Sequence, residues 1–167
     1  MKIGVLSDTH SYLHPKIFEF FAACDELWHC GDIGNMETLT QLQAFKPLRA
    51  VYGNIDGKEV RNQCGEDELF YIEKSKILMT HIGGCPSKYH PRALALIKEH
   101  RPSIFVCGHS HILRVIYDKT HQLLYINPGA AGCEGFHTYI TCLSFEWIND
   151  RPQKMEVFET DRCIRKQ

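Results

Sequence analysis

The sequence predicts an α/β fold in which two β-sheets pack together with helices outside. Through the first two thirds of the chain, short apolar runs rich in β-branched and aromatic residues alternate with amphipathic segments, the signature of βαβ units. After residue 107 the pattern changes to consecutive strands. At 167 residues and 44% hydrophobic composition, the chain is long enough to bury a real core, and residues 1–167 read as a single domain with no linker, repeat or low-complexity tract.

Residues 2–7 form the first strand, followed by a helix behind Pro15 on which Ile17, Phe20, Phe21 and Cys24 recur at i, i+3, i+4 and i+7. Residues 27–30 make the second strand. Asn35 then caps a helix carrying Met36, Leu39, Leu42 and Phe45, stopped by Pro47. The third strand is 48–52, and 69–72 and 77–80 are two strands joined by the polar turn 73–76. Pro91 opens a helix with Ala93, Leu94 and Ile97, ended by residues 100–102, and 104–107 is a further buried strand. The sheet up to this point is expected to be largely parallel. The later strands are 113–117, 123–126, 139–147 and 155–158. Tyr139, Thr141, Leu143, Phe145 and Trp147 share one face, which a second, more antiparallel sheet would bury against the first.

A balance of 19 Lys+Arg against 20 Asp+Glu, net charge -1, gives no global pull toward nucleic acid or anionic lipid. The apolar run at residues 3–6 is broken at once by Ser7, Asp8 and His10, so there is no signal-peptide core, and no stretch approaches the ~20 apolar residues of a membrane span. A soluble cytoplasmic protein without a membrane partner is expected. Cys24, Cys30, Cys64, Cys85, Cys107, Cys133, Cys142 and Cys163 form no C-x-x-C pair and several interrupt strand-like runs, so reduced, mostly buried thiols are expected.

Side chains with ligand character follow the predicted strands: Asp8 and His10, then Asp32, Asn54, His81, and finally His109 with His111. In a parallel sheet these strand ends lie along one edge, so residues distant in sequence converge. Two carboxylates, one amide and four imidazoles exceed what one ion with an open position uses. They suit two ions sharing a carboxylate, for which Asp32 is the candidate. Asp8-x-His10 and His109-x-His111 place side chains on one side of an extended backbone. Gly31, Gly53 and Gly108 precede Asp32, Asn54 and His109, allowing sharp turns and close backbone approach to an ion or phosphate. Oxygen and imidazole ligands without cysteine favour Mn2+ or Fe2+, with Mn2+ first, and permit Zn2+, Co2+ or Ni2+.

The ordered set Ser7-Asp8-Thr9-His10, Gly31-Asp32, Gly53-Asn54, Thr80-His81 and Gly108-His109-Ser110-His111 resembles the calcineurin-like metallophosphoesterases. The short length, and Asn127-Pro128-Gly129-Ala130 in place of an NPGS element, resemble the YfcE-like phosphodiesterase branch. The resemblance implies a four-layer α-β-β-α sandwich of two mixed sheets and a dinuclear metal centre. It also implies hydrolysis of a small phosphate ester by attack of a hydroxide held at the metals. It places Asp8, His10, Asp32 and His111 on one ion and Asp32, Asn54, His81 and His109 on the other, with Asp32 and Asn54 serving catalysis directly. Larger members of the superfamily carry a histidine after the GN pair that contacts phosphate. Here that position is Ile55, which predicts a preference for activated esters. Asp56 is a candidate support for Asn54 or a neighbouring histidine.

His14, His29, His90, His100, His121 and His137 read as ordinary surface or core histidines, and Asn127-Pro128-Gly129 as a turn beneath the site. Lys58, Arg61, Lys88, Tyr89 and Arg92 read equally well as anion contacts or as exposed polar groups. Nothing resembles a G-x-S-x-G elbow or a cysteine-based phosphatase loop. Two other functions compete. One is a protein-binding scaffold of the same fold, like the retromer-associated member, but such a site should have lost ligands and none of the seven is lost here. The other is a nuclease, which the neutral charge balance and the lack of a capping domain disfavour. A homo-oligomer through an edge strand or the later sheet is left open.

Overall fold

A computed structural model describes residues 1–162, which run in order through β1 (Lys2–Leu6), α1 (Pro15–Phe20), β2 (Glu26–Cys30), α2 (Met36–Phe45), β3 (Leu48–Val51), α3 (Lys58–Arg61), β4 (Asp67–Ile72), β5 (Ser75–Thr80), β6 (Gly84–Cys85), β7 (Lys88–Tyr89), α4 (Pro91–His100), β8 (Ile104–Val106), β9 (Leu113–Asp118), β10 (Leu123–Pro128), β11 (Tyr139–Ile148) and β12 (Arg151–Asp161). Two five-stranded sheets result, ordered β12-β11-β1-β2-β3 and β4-β5-β8-β10-β9. Both are mixed: β1, β2 and β3 are parallel, as are β5, β8 and β10, while β11, β12, β4 and β9 are antiparallel additions.

Strand periodicity builds the layers. Ile3, Val5, Trp28, Cys30, Leu143 and Phe145 of the first sheet meet Ile77, Met79, Ile104, Val106 and Ile126 of the second. Trp28 lies edge-on to Phe70 and Phe145 at ring-centre distances of 5.2 and 5.7 Å. The alternate residues Leu6, Leu27, Ile140 and Cys142 turn the other way, under Ile17, Phe21 and Leu42 of the α1 and α2 segments. Ala93 and Ile97 of α4 cover Leu78, Phe105, Leu123 and Tyr125 on the far side. The result is the helix-sheet-sheet-helix sandwich expected.

The late strands depart from expectation. They do not form a sheet of their own: β9 and β10 complete the second sheet, whereas β11 and β12 extend the first, with β11 antiparallel to β1. Leu143, Phe145 and Trp147 do face the other sheet, but Tyr139 is exposed and the opposite face of β11 is buried too. Strand β12 spans far more than 155–158, because pairing with β11 rather than its own apolarity carries it. Helix α3 and the two-residue strands β6 and β7 are too short to show any periodicity.

Helix α2 starts as its sequence dictates, with Asn35 Oδ1 accepting the Thr38 N–H at 2.9 Å. Asn35→Ala is expected to lower stability by about 1 kcal/mol and Asn35→Ser to keep most of it, read from urea midpoints followed by circular dichroism. Cys24, Cys30, Cys64, Cys107 and Cys142 are buried thiols and Cys85 is half-buried, whereas Cys163 lies outside the described residues. No helix among the described residues is long and apolar enough to cross a membrane.

Candidate metal centre

Five parallel strand ends meet at one edge of the sandwich. Asp8, Asp32 and Asn54 follow β1, β2 and β3 of the first sheet, and His81 and His109 follow β5 and β8 of the second. The convergence therefore joins two sheets rather than running along one. Ligand atoms of Asp8, His10 and His111 lie within 4.8 Å of one another, and so do those of Asp32, His81 and His109. Asn54 joins the second group through Oδ1, 3.1 Å from His81 Nε2.

The groups touch at Asp32, whose Oδ2 is 3.3 Å from His81 Nε2 and 3.6 Å from His10 Nε2. Its Oδ1 accepts the Ile55 N–H at 3.0 Å. Burial works against the Asp32 carboxylate, but the hydrogen bond and charge of His81 outweigh it and hold the carboxyl below its ordinary range. Burial likewise opposes the charged form of His81, but the Asp32 bond and the Asp8 and Asp32 charges hold it above its ordinary value. His81 Nδ1 donates to the Cys30 carbonyl at 2.7 Å, so Nε2 is the atom turned toward the carboxylates. A proton and a cation compete for that lone pair. Burial, then the neighbouring His81 charge, keeps His109 below its ordinary value.

The donor set fits divalent cations on an observation of its own. Asp8 Oδ1 and His10 Nε2 are buried with no hydrogen-bond partner, although such atoms are costly to bury unpaired. Both belong to the group completed by His111, whose Nε2 is 3.2 Å from Asp8 Oδ1. Cys107, close behind this edge, is no alternative nucleophile, because burial pushes its thiol up to about 12.

The backbone that delivers these side chains is not extended. Asp8, His10, Asp32, His109 and His111 have φ of 55, 47, 55, 67 and 56°, in the left-handed region. Tertiary hydrogen bonds impose this, since Asp8 N donates to Gly31 O, His10 N to Asp32 O, and His109 N to Asp8 Oδ2. His109 and His111 consequently serve different groups. Gly31, with φ of +93°, makes the sharp turn expected, and the glycines have a second reason as well: a Cβ there would sit 2.6 Å from His81 Nδ1. Gly53 and Gly108 likewise make room for the Asp32 carboxylate and for Ser7.

The surroundings bear on three further expectations. Among the described residues Asp56 makes no hydrogen bond to Asn54's side chain or to a histidine. Its carboxylate accepts the N–H groups of Ile33, Gly34 and Gly53 at 3.2, 2.7 and 2.8 Å, bracing the loops that carry Asp32 and Asn54. Arg61 and Arg92 are already engaged: Arg61 bonds Asp56 O and lies over the Tyr52 ring, and Arg92 pairs with Asp67 and Glu66. Tyr89 donates to Asp118. His137 is hydrogen-bonded and stands outside both ligand groups, and one of its partners is a predicted ligand, since its Nδ1 lies 3.1 Å from Nδ1 of His111. No sequence pattern marked it, since the contact spans 26 residues and two loops.

Other readings stand. His29 is buried, bonded by Thr9 and Gly31, while His14 caps α1 and His121 pairs with Asp118. Asn127 lies under the site, donating to Gly108 O at 2.8 Å and bracing the loop of His109. Two recesses flank Asn54. One, of about 220 Å3, is lined by Arg61, His81, His90 and Arg92, and the other, of about 460 Å3, by His10, His109, His111, Ile55, Ile112 and Phe136.

Comparison with known proteins gives a consistent family. Residues 1–150 match the profile described as the calcineurin-like phosphoesterase superfamily domain. A probable metallophosphoesterase of Methanocaldococcus jannaschii is 31% identical over 78% of this chain and 68% of its own length. A phosphodiesterase of the same organism is 29% identical over 84% of this chain and 89% of its own. The solved structure of Vps29 from Chaetomium thermophilum superposes with a TM-score of 0.74 at 13% identity, covering 98% of this chain and all of that one, a likeness of fold.

Proposed function

The chain belongs to the calcineurin-like phosphoesterase superfamily, and on that premise we propose that it is a phosphodiesterase that hydrolyses a small phosphorylated metabolite or nucleotide with two divalent cations, Mn2+ foremost. The observation that carries the proposal is the pair of ligand groups meeting at Asp32 Oδ2, one of them holding two buried atoms with no partner. The 29% identical relative named as a phosphodiesterase supports the diester.

Asp8, His10 and His111 would hold one cation and Asn54, His81 and His109 the other, with Asp32 available to both. Two such cations supply a water acidified into the neutral range and positive charge for the phosphoryl oxygens. The chain's own residues do the rest. Asn54, exposed at the mouth with its Oδ1 toward His81, offers its amide N–H to a phosphoryl oxygen. Ile55 presents an apolar side chain beside the leaving group and donates only its backbone N–H, to Asp32. With no protonated side chain at that position, esters with weakly basic leaving groups react best. The buried thiols support action in the reducing cytoplasm.

A protein-binding scaffold is the second reading, favoured by one observation: the edge strand β9 exposes Val115, Ile116 and Tyr117. Catalysis separates the two. Chelator-stripped protein is expected to be inert toward bis(p-nitrophenyl) phosphate and p-nitrophenyl phosphate and to regain turnover with Mn2+, faster on the diester. Folded protein that turns over neither ester with any divalent ion would leave the scaffold as the better account.

A further inference from the structure

We propose that His137 is a positioning residue that fixes the tautomer and orientation of His111, and thereby the cation affinity of the Asp8, His10 and His111 group alone. The proposal rests on the metal-dependent reading above and goes beyond it by assigning a residue outside the seven ligands.

The proton positions follow from the partners. His137 Nε2 lies 3.0 Å from the Gly132 carbonyl, which can only accept, so Nε2 carries the proton of neutral His137 and Nδ1 carries a lone pair. That lone pair faces His111 Nδ1 at 3.1 Å. His111 must therefore donate from Nδ1, which leaves its Nε2 as a lone pair directed at Asp8 Oδ1, 3.2 Å away. Unless His111 takes up a second proton, two electron-rich atoms face each other there, and Asp8 Oδ1 has no hydrogen bond to offset the repulsion. A cation relieves it.

The loop bearing His137 also holds Asp8. Ala131 N donates to Ser7 O and Gly132 N to Asp8 O, at 2.8 and 2.9 Å. Gly135, with φ of +118°, lets the loop close over His111, since a Cβ would strike the imidazole, with Cε1 only 2.6 Å away. One loop thus ties together Asp8 and His111, two members of one group. His81 in the other group is oriented independently, by the Cys30 carbonyl.

The test is calorimetric titration of the chelator-stripped full chain with Mn2+, with melting curves to establish that each variant folds. Wild-type protein is expected to bind two ions. His137→Ala should bind one with unchanged affinity and the other about 10- to 100-fold more weakly. His137→Asn, whose Oδ1 can accept the same bond from His111, should recover most of the loss, and Gly135→Ala should behave like His137→Ala. A folded His137→Ala that binds both ions as wild type does, or weakens both equally, overturns the proposal while leaving the phosphodiesterase reading intact. Wild-type protein that binds no divalent ion overturns both.

Discussion

Asp32→Asn is expected to cut Mn2+-dependent diester turnover by on the order of 10^3-fold or more, about 4 kcal/mol of transition-state stabilisation, in a protein that still folds. The size of the effect follows from the two oxygens. Oδ1 accepts the Ile55 N–H, while Oδ2 stands 3.3 Å from His81 Nε2 and 3.6 Å from His10 Nε2, one member of each ligand group. An amide cannot serve both needs. If its oxygen keeps the Ile55 bond, its NH2 points at both proposed cation positions with the wrong polarity. If it turns over, a donor faces the Ile55 N–H and the remaining neutral oxygen is a poorer ligand for a hard cation. Both groups lose together, so titration of Asp32→Asn should show weakened binding at both sites, unlike His137→Ala. Turnover within threefold of wild type would remove Asp32 from the centre of the scheme.

Much of this arrangement was legible in the sequence because parallel strands deliver their C-terminal ends to a common edge, and Asp8, Asp32, Asn54, His81 and His109 each stand within three residues of such an end. What stayed hidden is what only tertiary contacts decide. The run 139–147 reads as part of a second, antiparallel sheet, yet β11 joins the first, and both its faces are buried, one on the second sheet and one under α1. The motif Asp8-x-His10 reads locally as extended chain. Its left-handed φ values arise from bonds to residues 31 and 32, more than twenty positions away. The roles of His137 and Asp56 are invisible for the same reason: a histidine in a glycine-rich loop and an aspartate after a Gly-Asn turn have many ordinary uses, and only their partners reveal these.

Asp56 shows how such a hidden residue can be tested. Its side chain is buried, and three backbone N–H groups from two loops converge on it, at residues 33 and 34 after β2 and 53 after β3. Asp56→Ala would leave those donors without their acceptor. At about 1 to 3 kcal/mol for each buried unsatisfied group, a loss of about 3 kcal/mol or more is expected, a fall of about 6 to 12 °C in Tm for a chain of this size. Asp56→Asn retains one acceptor and should fall between Ala and wild type. The functional consequence is separable from the stability loss. These loops carry Asp32 and Asn54, so below the melting transition Asp56→Ala should still weaken binding of the ion proposed for Asp32, Asn54, His81 and His109. The ion at Asp8, His10 and His111 should suffer less, through Asp32 alone. A variant that melts early yet binds both ions and turns over substrate like wild type at low temperature would reduce Asp56 to a brace of the fold with no bearing on the metal centre.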